Sequence, residues 1–244
     1  MIHCFSGMGN SAAVANRLEL KLPPNYPAEI WVFPVYSWGV PPVVVKHIEQ
    51  LDLSGKVCHM VCTCGDDTGN IDRQWRRLVE SRGGSAGSIF SVRMPNTYVC
   101  LPFMDVDSRP VADRKLRDAA DRVDSIARSI MSGEIVTDIR RGALPALKSA
   151  VIYPAFFRHL MKASKFHSTA ACLSCGRCIA LCPNKNISAG PDGRPQWAEN
   201  CAFCLRCYHS CKAHAVAYGS QTQKKGQFLH PDFQWLIKKF ENFC

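Results

Sequence analysis

Through its first 133 residues the chain alternates short apolar runs with helix-length amphipathic segments, the pattern of a parallel sheet covered on both faces. The runs Ile2 to Phe5, Ile30 to Phe33 and Lys56 to Cys62 read as strands, and a helix is expected from about Ala12 to Leu20. Farther on, Ala112, Leu116, Ala119, Val123, Ile126 and Ile130 recur at helical spacing. Asp113–Arg117, Asp118–Arg122 and Asp124–Arg128 form i,i+4 pairs on what should be its solvated face. Gly133 ends that helix. Residues 134–171 make a bridge too long for a plain loop, so part of it should be helical and packed between domains. Its Ile152–Phe157 stretch would shield the chain's C-terminal third from water. At the far end, Phe233, Leu236, Ile237 and Phe240 predict a short amphipathic helix docked on the chain's own core.

Chemistry enters at the strand ends, where a ligand at the carboxyl edge of a parallel sheet would lie. The first strand runs into Ser6-Gly7-Met8-Gly9-Asn10-Ser11, a turn whose glycines, hydroxyls and helix-start N–H groups suit an anion. The second ends in a loop containing Tyr36, Trp38 and Gly39, flat side chains able to cover an aromatic ring. The third ends in Thr63-Cys64-Gly65-Asp66-Asp67-Thr68, which offers small residues and backbone groups along such a ring's edge.

The cysteines say more. Eight of the 14 fall in two matching runs, Cys172-x₂-Cys175-x₂-Cys178-x₃-Cys182-Pro183 and Cys201-x₂-Cys204-x₂-Cys207-x₃-Cys211. Three thiolates at that spacing wrap one face of an iron–sulfur cube, and the fourth reaches across to the other cube. One [4Fe-4S] cluster is then expected on Cys172, Cys175, Cys178 and Cys211, and a second on Cys201, Cys204, Cys207 and Cys182. Zinc ribbons use paired C-x₂-C knuckles, not runs of four, and disulfide scaffolds are usually short and secreted, so clusters are favoured. Lys212 stands where the first run has Pro183. Its N–H and charge should favour the reduced state and raise the potential of the cluster completed by Cys211. Outside the runs, Cys4, Cys58 and Cys62 read as small buried hydrophobes, and Cys64 as an inert thiol beside the third loop.

Ser6–Ser11, the Phe33-Pro34-Val35-Tyr36-x-Trp38-Gly39-x-Pro41 loop, Met94-Pro95-Asn96-x-Tyr98-Val99 and the cysteine runs together resemble the EFR1-type flavodoxin–ferredoxin fusion proteins, over nearly the whole chain. The resemblance implies a flavodoxin-like α/β domain (residues 1–133) binding FMN, then an α+β ferredoxin-like two-cluster domain (172–218) and a tail (219–244). The phosphate would sit in Ser6–Ser11 and the ring between the Tyr36–Trp38 and Thr63–Thr68 loops. Three positions depart from the pattern. Met8 replaces a phosphate-binding threonine. Asp66 and Asp67 either repel an anionic reduced flavin or form a solvated turn capping the next helix. Pro23-Pro24-Asn25-Tyr26-Pro27 fills much of a short gap before Phe33, so the sheet's edge strand is shortened or missing.

Composition adds bounds. At 244 residues, 47% hydrophobic and 20% charged, the chain is expected to form two ordinary globular domains. No leader is visible at the N-terminus, and the longest apolar stretch is too broken to span a bilayer, so a cytoplasmic, reducing location is expected. The formal charge of +10 overstates the loaded protein's basicity. Eight thiolates, two oxidised cores and a flavin phosphate would bring it to about +4. Acidic redox proteins are therefore the expected partners, without nucleic acid or a membrane span. The function expected is electron transfer between FMN and the two clusters. The alternative is an FMN-dependent oxidoreductase fed through them.

Overall fold

The computed structural model describes residues 1–239. Among them, one sheet holds five parallel strands in the order β1 (Ile2–Cys4), β2 (Glu29–Pro34), β3 (Val57–Cys64), β4 (Ser85–Arg93) and β5 (Thr137–Asp138). Alternating side chains feed two cores. Ile30, Val32, Val61, Phe90 and Val92 face α1 (Asn10–Lys21) and α4 (Arg109–Met131). Trp31, Phe33, Met60, Cys62 and Ile89 face α2 (Pro42–Ile48) and α3 (Ile71–Glu80). Burial on both faces is why these strands read as near-continuous apolar runs. The α/β architecture is the one the alternation predicts.

β1 is the sheet's edge, three residues long, with no strand outside it among the described residues. The crossovers carry a trace of this. Each steps to the next strand in the same direction, yet α1 and α4 lie on one face and α2 and α3 on the other. The two pairs are therefore of opposite hand, although such crossovers are right-handed in nearly all proteins. A missing strand outside β1 accounts for α1. Leading to such a strand, α1 would sit on this same face with the hand of the α2 and α3 crossovers.

On α4 Asp113, Arg117, Asp118 and Arg128 are exposed as expected and Asp113 pairs i,i+4 with Arg109 at 4.0 Å, but Asp124 and Arg122 turn to neighbouring elements. Asp124 is held by Arg17 at 2.7 and 2.9 Å and by Lys21 at 3.1 Å, all from α1. Arg122 reaches Asp138 in β5 at 2.7 Å. Cross-element partners win because α1 and β5 pack directly beside α4.

The bridge is largely helical. α-Turns α5 (Pro145–Leu147) and α6 (Tyr153–Ala155) alternate with π-turns over Lys148–Ile152 and Phe156–Leu160. Pro154 lacks an N–H for the ladder, a local reason for the widened turns. Beyond it lies a small unit with β6 (Phe166–Ser168), α7 (Arg177–Ala180), β7 (Ile187–Ala189), β8 (Pro195–Trp197), α8 (Arg206–His209) and β9 (Val216–Tyr218). β6 pairs with β9 and β7 with β8, both antiparallel. Three pairs of elements, starting at Phe166 and Pro195, Arg177 and Arg206, and Ile187 and Val216, lie 29 residues apart. The unit is an internal duplication, and its pairing starts at Phe166, inside the segment read as bridge. Finally α9 (Phe233–Lys239) buries Leu236 in the α1–α4 core, as its amphipathic pattern predicts. Phe240 and Cys244 lie outside the described residues. No helix among those described is long and apolar enough to cross a membrane.

Candidate functional site

Seven of the eight motif cysteines fall into two neighbourhoods, and no cysteine among the described residues is disulfide-bonded. Cys182, Cys201, Cys204 and Cys207 line one cavity with Pro183, Trp197, Leu205 and Arg206. Burial pushes the Cys201 thiol up to about 12, with the charges of Cys204 and Cys182 adding to it. Cys178 is raised by burial and then by Cys211 and Cys172. The cavity thus takes three cysteines from the second run and one from the first, and Cys178 and Cys172 of the first run lie near Cys211 of the second, while Cys175 is exposed in the first loop. Backbone N–H groups already point at the sulfurs. Asn186 donates to Cys182 Sγ and Ala215 to Cys211 Sγ, both at 3.2 Å, and Phe203 to Cys201 Sγ at 3.4 Å. Among the described residues no three Cys, His, Asp or Glu side chains converge tightly enough for a single metal ion.

The loops are wound alike. Ser174 and Phe203, Gly176 and Leu205, and Lys185 and His214 have φ between 48° and 71° at matching places in the two runs. Five of these six residues carry a side chain, and left-handed geometry costs each roughly 1–2 kcal/mol. About 5–10 kcal/mol of strain is the size of a whole domain's stability, so something must offset it. A bound cluster would supply that, since ligation energy is folding energy in small metal domains. The donor set, the aimed N–H groups and the strained wrapping fit two [4Fe-4S] clusters.

Nearby, the three sheet-edge loops come together at the carboxyl ends of β1, β2 and β3. Most of their polar groups are already engaged. Ser6 Oγ accepts the Gly9 N–H at 3.2 Å, Ser11 Oγ and Thr63 Oγ1 share a 2.7 Å bond, and Thr68 Oγ1 donates to Arg140 O at 3.1 Å. Met8, which brings no hydroxyl, packs its side chain against the core of the small unit instead. Trp38 lies under the Lys148 ammonium, 5.0 Å from its ring centre, and its carbonyl accepts Ser149 Oγ. Gly39 fits against the Tyr153 ring, whose hydroxyl donates to Val40 O at 2.6 Å. Tyr153 therefore serves these loops, not the cysteines, while Phe156 packs on Tyr98. Asp67 is no solvated cap, because it pairs with Lys148 at 2.7 Å. Asn70 leads α3 without a side-chain cap, and Asp66 is exposed. Gly65 O accepts Lys115 Nζ at 2.9 Å. Cys64 ends β3 itself, and burial followed by the charges of Asp67 and Asp66 pushes its thiol up to about 12, so it stays neutral and inert. Two groups lack partners: Asn10 Oδ1 and Asp67 Oδ1 are buried without a hydrogen bond. For FMN the fit is in part only. The loops converge, but a phosphate in the first must displace bonds the loop makes to itself.

The small unit sits directly on that first loop. A Cβ on Gly7 would meet Cys204 O at 2.5 Å, and one on Gly9 would meet His230 Cβ at 2.7 Å. Arg206, 5% exposed, sends Nη2 to Ser6 O at 2.7 Å, Nε to Gly7 O at 3.0 Å and Nη1 to Leu181 O at 3.1 Å. Its guanidinium and N–H oppose the burial that raises the Cys204 thiol. Lys212, by contrast, is exposed. A unit charge 4 Å away is worth about 4 kcal/mol at an effective dielectric near 20 but about 1 kcal/mol in water. Between the two cations, the buried arginine has the larger leverage. Arg206 had a visible trace, because Arg177 and Arg206 each precede the third cysteine of their run. Trp197, which lines the same cavity as Cys182, Cys201, Cys204 and Cys207, had none. No protein family, curated protein or solved structure matches this chain.

Proposed function

We propose that the chain is an electron-transfer protein of a reducing compartment, holding two [4Fe-4S] clusters that exchange electrons with FMN at the sheet edge. The observation that carries this is the four-thiol cavity of Cys182, Cys201, Cys204 and Cys207, together with the matching strained loops that wind both cysteine runs. Cys172, Cys175, Cys178 and Cys211 would hold one cluster and Cys182, Cys201, Cys204 and Cys207 the other. When bound, such clusters supply one-electron steps at potentials set by charge, burial and hydrogen bonds to sulfur. The chain's own part is to exclude water with Phe166, Trp197 and Leu205, and to direct backbone N–H groups at the sulfurs. Contact between the Cys204 loop and the Ser6–Ser11 loop supports a carrier over a substrate-reducing enzyme. A cluster unit seated on that edge shortens the electron's path while covering ground a substrate would need.

The test is the iron, sulfide and flavin content of anaerobically purified protein, with its visible spectrum. About eight iron per chain with one FMN is expected. Eight iron and no FMN, even after titration with FMN, would keep the clusters and remove the flavin. Zinc in place of iron would overturn the whole reading.

A further inference from the structure

Arg206 carries an imbalance that the folded chain does not resolve. Its guanidinium is buried, its partners are three main-chain carbonyls, and no carboxylate among the described residues is within salt-bridge reach. A buried cation without a countercharge is the costly arrangement, unlike a buried pair. An anion beside it would offset that cost, and Arg206 lines the cavity of Cys182, Cys201, Cys204 and Cys207. Four thiolates on a [4Fe-4S] core carry net negative charge in both redox states, and more when reduced. Arg177, its counterpart in the first run, is half-exposed with its Nε unpartnered, and grips no sheet-edge loop. The surroundings differ as well. Around the first group Cys175 is exposed and Leu173 is 76% exposed, whereas Cys204 and Cys207 are buried.

We infer that Arg206 is a positioning residue that ranks the two clusters. It fixes the Cys182, Cys201, Cys204 and Cys207 group as the inner station against the sheet edge and raises its midpoint potential. The Cys172, Cys175, Cys178 and Cys211 group is left as the outer station that meets redox partners. This rests on the cluster reading above. A cation stabilises the more negative reduced state, and it does so most where water is excluded. A clasp that only joined the two units would leave the potentials alone.

The experiment is a redox titration of the full-length holoprotein, followed by electron paramagnetic resonance, for the parent and for Arg206→Gln and Arg206→Lys. A soluble dysprosium chelate, which speeds spin relaxation of accessible clusters, tells the two apart. Arg206→Gln should move the midpoint of the shielded cluster to more negative potential and leave the other in place, and Arg206→Lys should restore most of the shift. Both midpoints unmoved in Arg206→Gln, or a shift in the accessible cluster, overturns the inference. Should Arg206→Gln not accumulate, the unmutated protein decides: dysprosium reaching both clusters equally overturns the ranking, and protection of one sustains it. A parent without iron would sink the cluster reading itself, whereas iron present with potentials unmoved sinks only this step.

Discussion

Tyr208 shows how much one hydroxyl can hold. Fully buried, its Oη lies 2.9 Å from Lys225 O, 3.0 Å from Thr222 O and 2.9 Å from His214 Nε2. With one hydrogen to give, it donates toward the carbonyls and accepts from the histidine. Tyr208→Phe should cost about 1–3 kcal/mol, read by urea unfolding of the cluster-loaded protein, because the carbonyls are left dry and unpaired. His59 makes a different prediction. Its Nδ1 accepts the Ser88 N–H at 2.9 Å, and burial lowers its pKa below 6.5. The folded state therefore resists protonation. Its contribution is complete above about pH 6.5 and is lost as pH falls from there toward the lowered folded value. His59→Gln should flatten the fall in stability between about pH 7 and 5; an unchanged slope would assign that fall elsewhere. Lys212→Pro should move the potential of the cluster completed by Cys211 less than Arg206→Gln moves that of the shielded one, since water screens the exposed ammonium. Thiols were legible in the sequence because their spacing is their chemistry. Lys225 was not: it lies 9% exposed with its ammonium donating to Val99 O and Leu101 O. Partners so far away along the chain leave no local pattern.

Strands and helices were legible in proportion to their periodicity. β2 and β3 are apolar runs buried on both faces, and α4 repeats its apolar stripe over 23 residues. β5 and β6, of two and three residues, are too short to carry a period, so both fell inside what read as bridge. At the bulge between β3 and β4 the register shifts between Cys58 and Met60, and His59 takes up the stray Ser88 N–H. That repair needs a fold to exist first. The strained loops of the cluster unit give a sharper expectation. Stripping iron with a chelator under oxidising conditions should unfold residues 166–218 while the parallel sheet survives. Hydrogen exchange would read this directly, as protection lost at Val216–Tyr218 and retained at Val57–Cys64. Equal retention in both would mean that packing alone offsets the strain.

The two units are held to one another through glycines and carbonyls more than through charge pairs. Gly7→Ala should therefore act at their junction, since its methyl would overlap the Cys204 carbonyl. Expected is a full complement of iron with the single calorimetric transition split in two; a single unshifted transition would show that the loop can give way. That junction was invisible in the sequence, where Gly7 read as phosphate-loop geometry and Met8 as a missing hydroxyl. Met8 instead packs against the unit whose loop covers Gly7.

The duplicated strands pair only across the two copies. β6 and β7 belong to the first copy, β8 and β9 to the second, and every pairing joins one copy to the other. Neither copy closes a sheet by itself, and on the proposed ligation neither would complete a cluster. A single copy could do so only by meeting its twin in solution, at a rate set by how many twins were present. Joined end to end, the copies meet in every molecule, however few the cell makes, so loading of the proposed clusters would not depend on abundance. The same interlock would make loss shared: on the proposed ligation, damage to either copy leaves the other without its fourth sulfur.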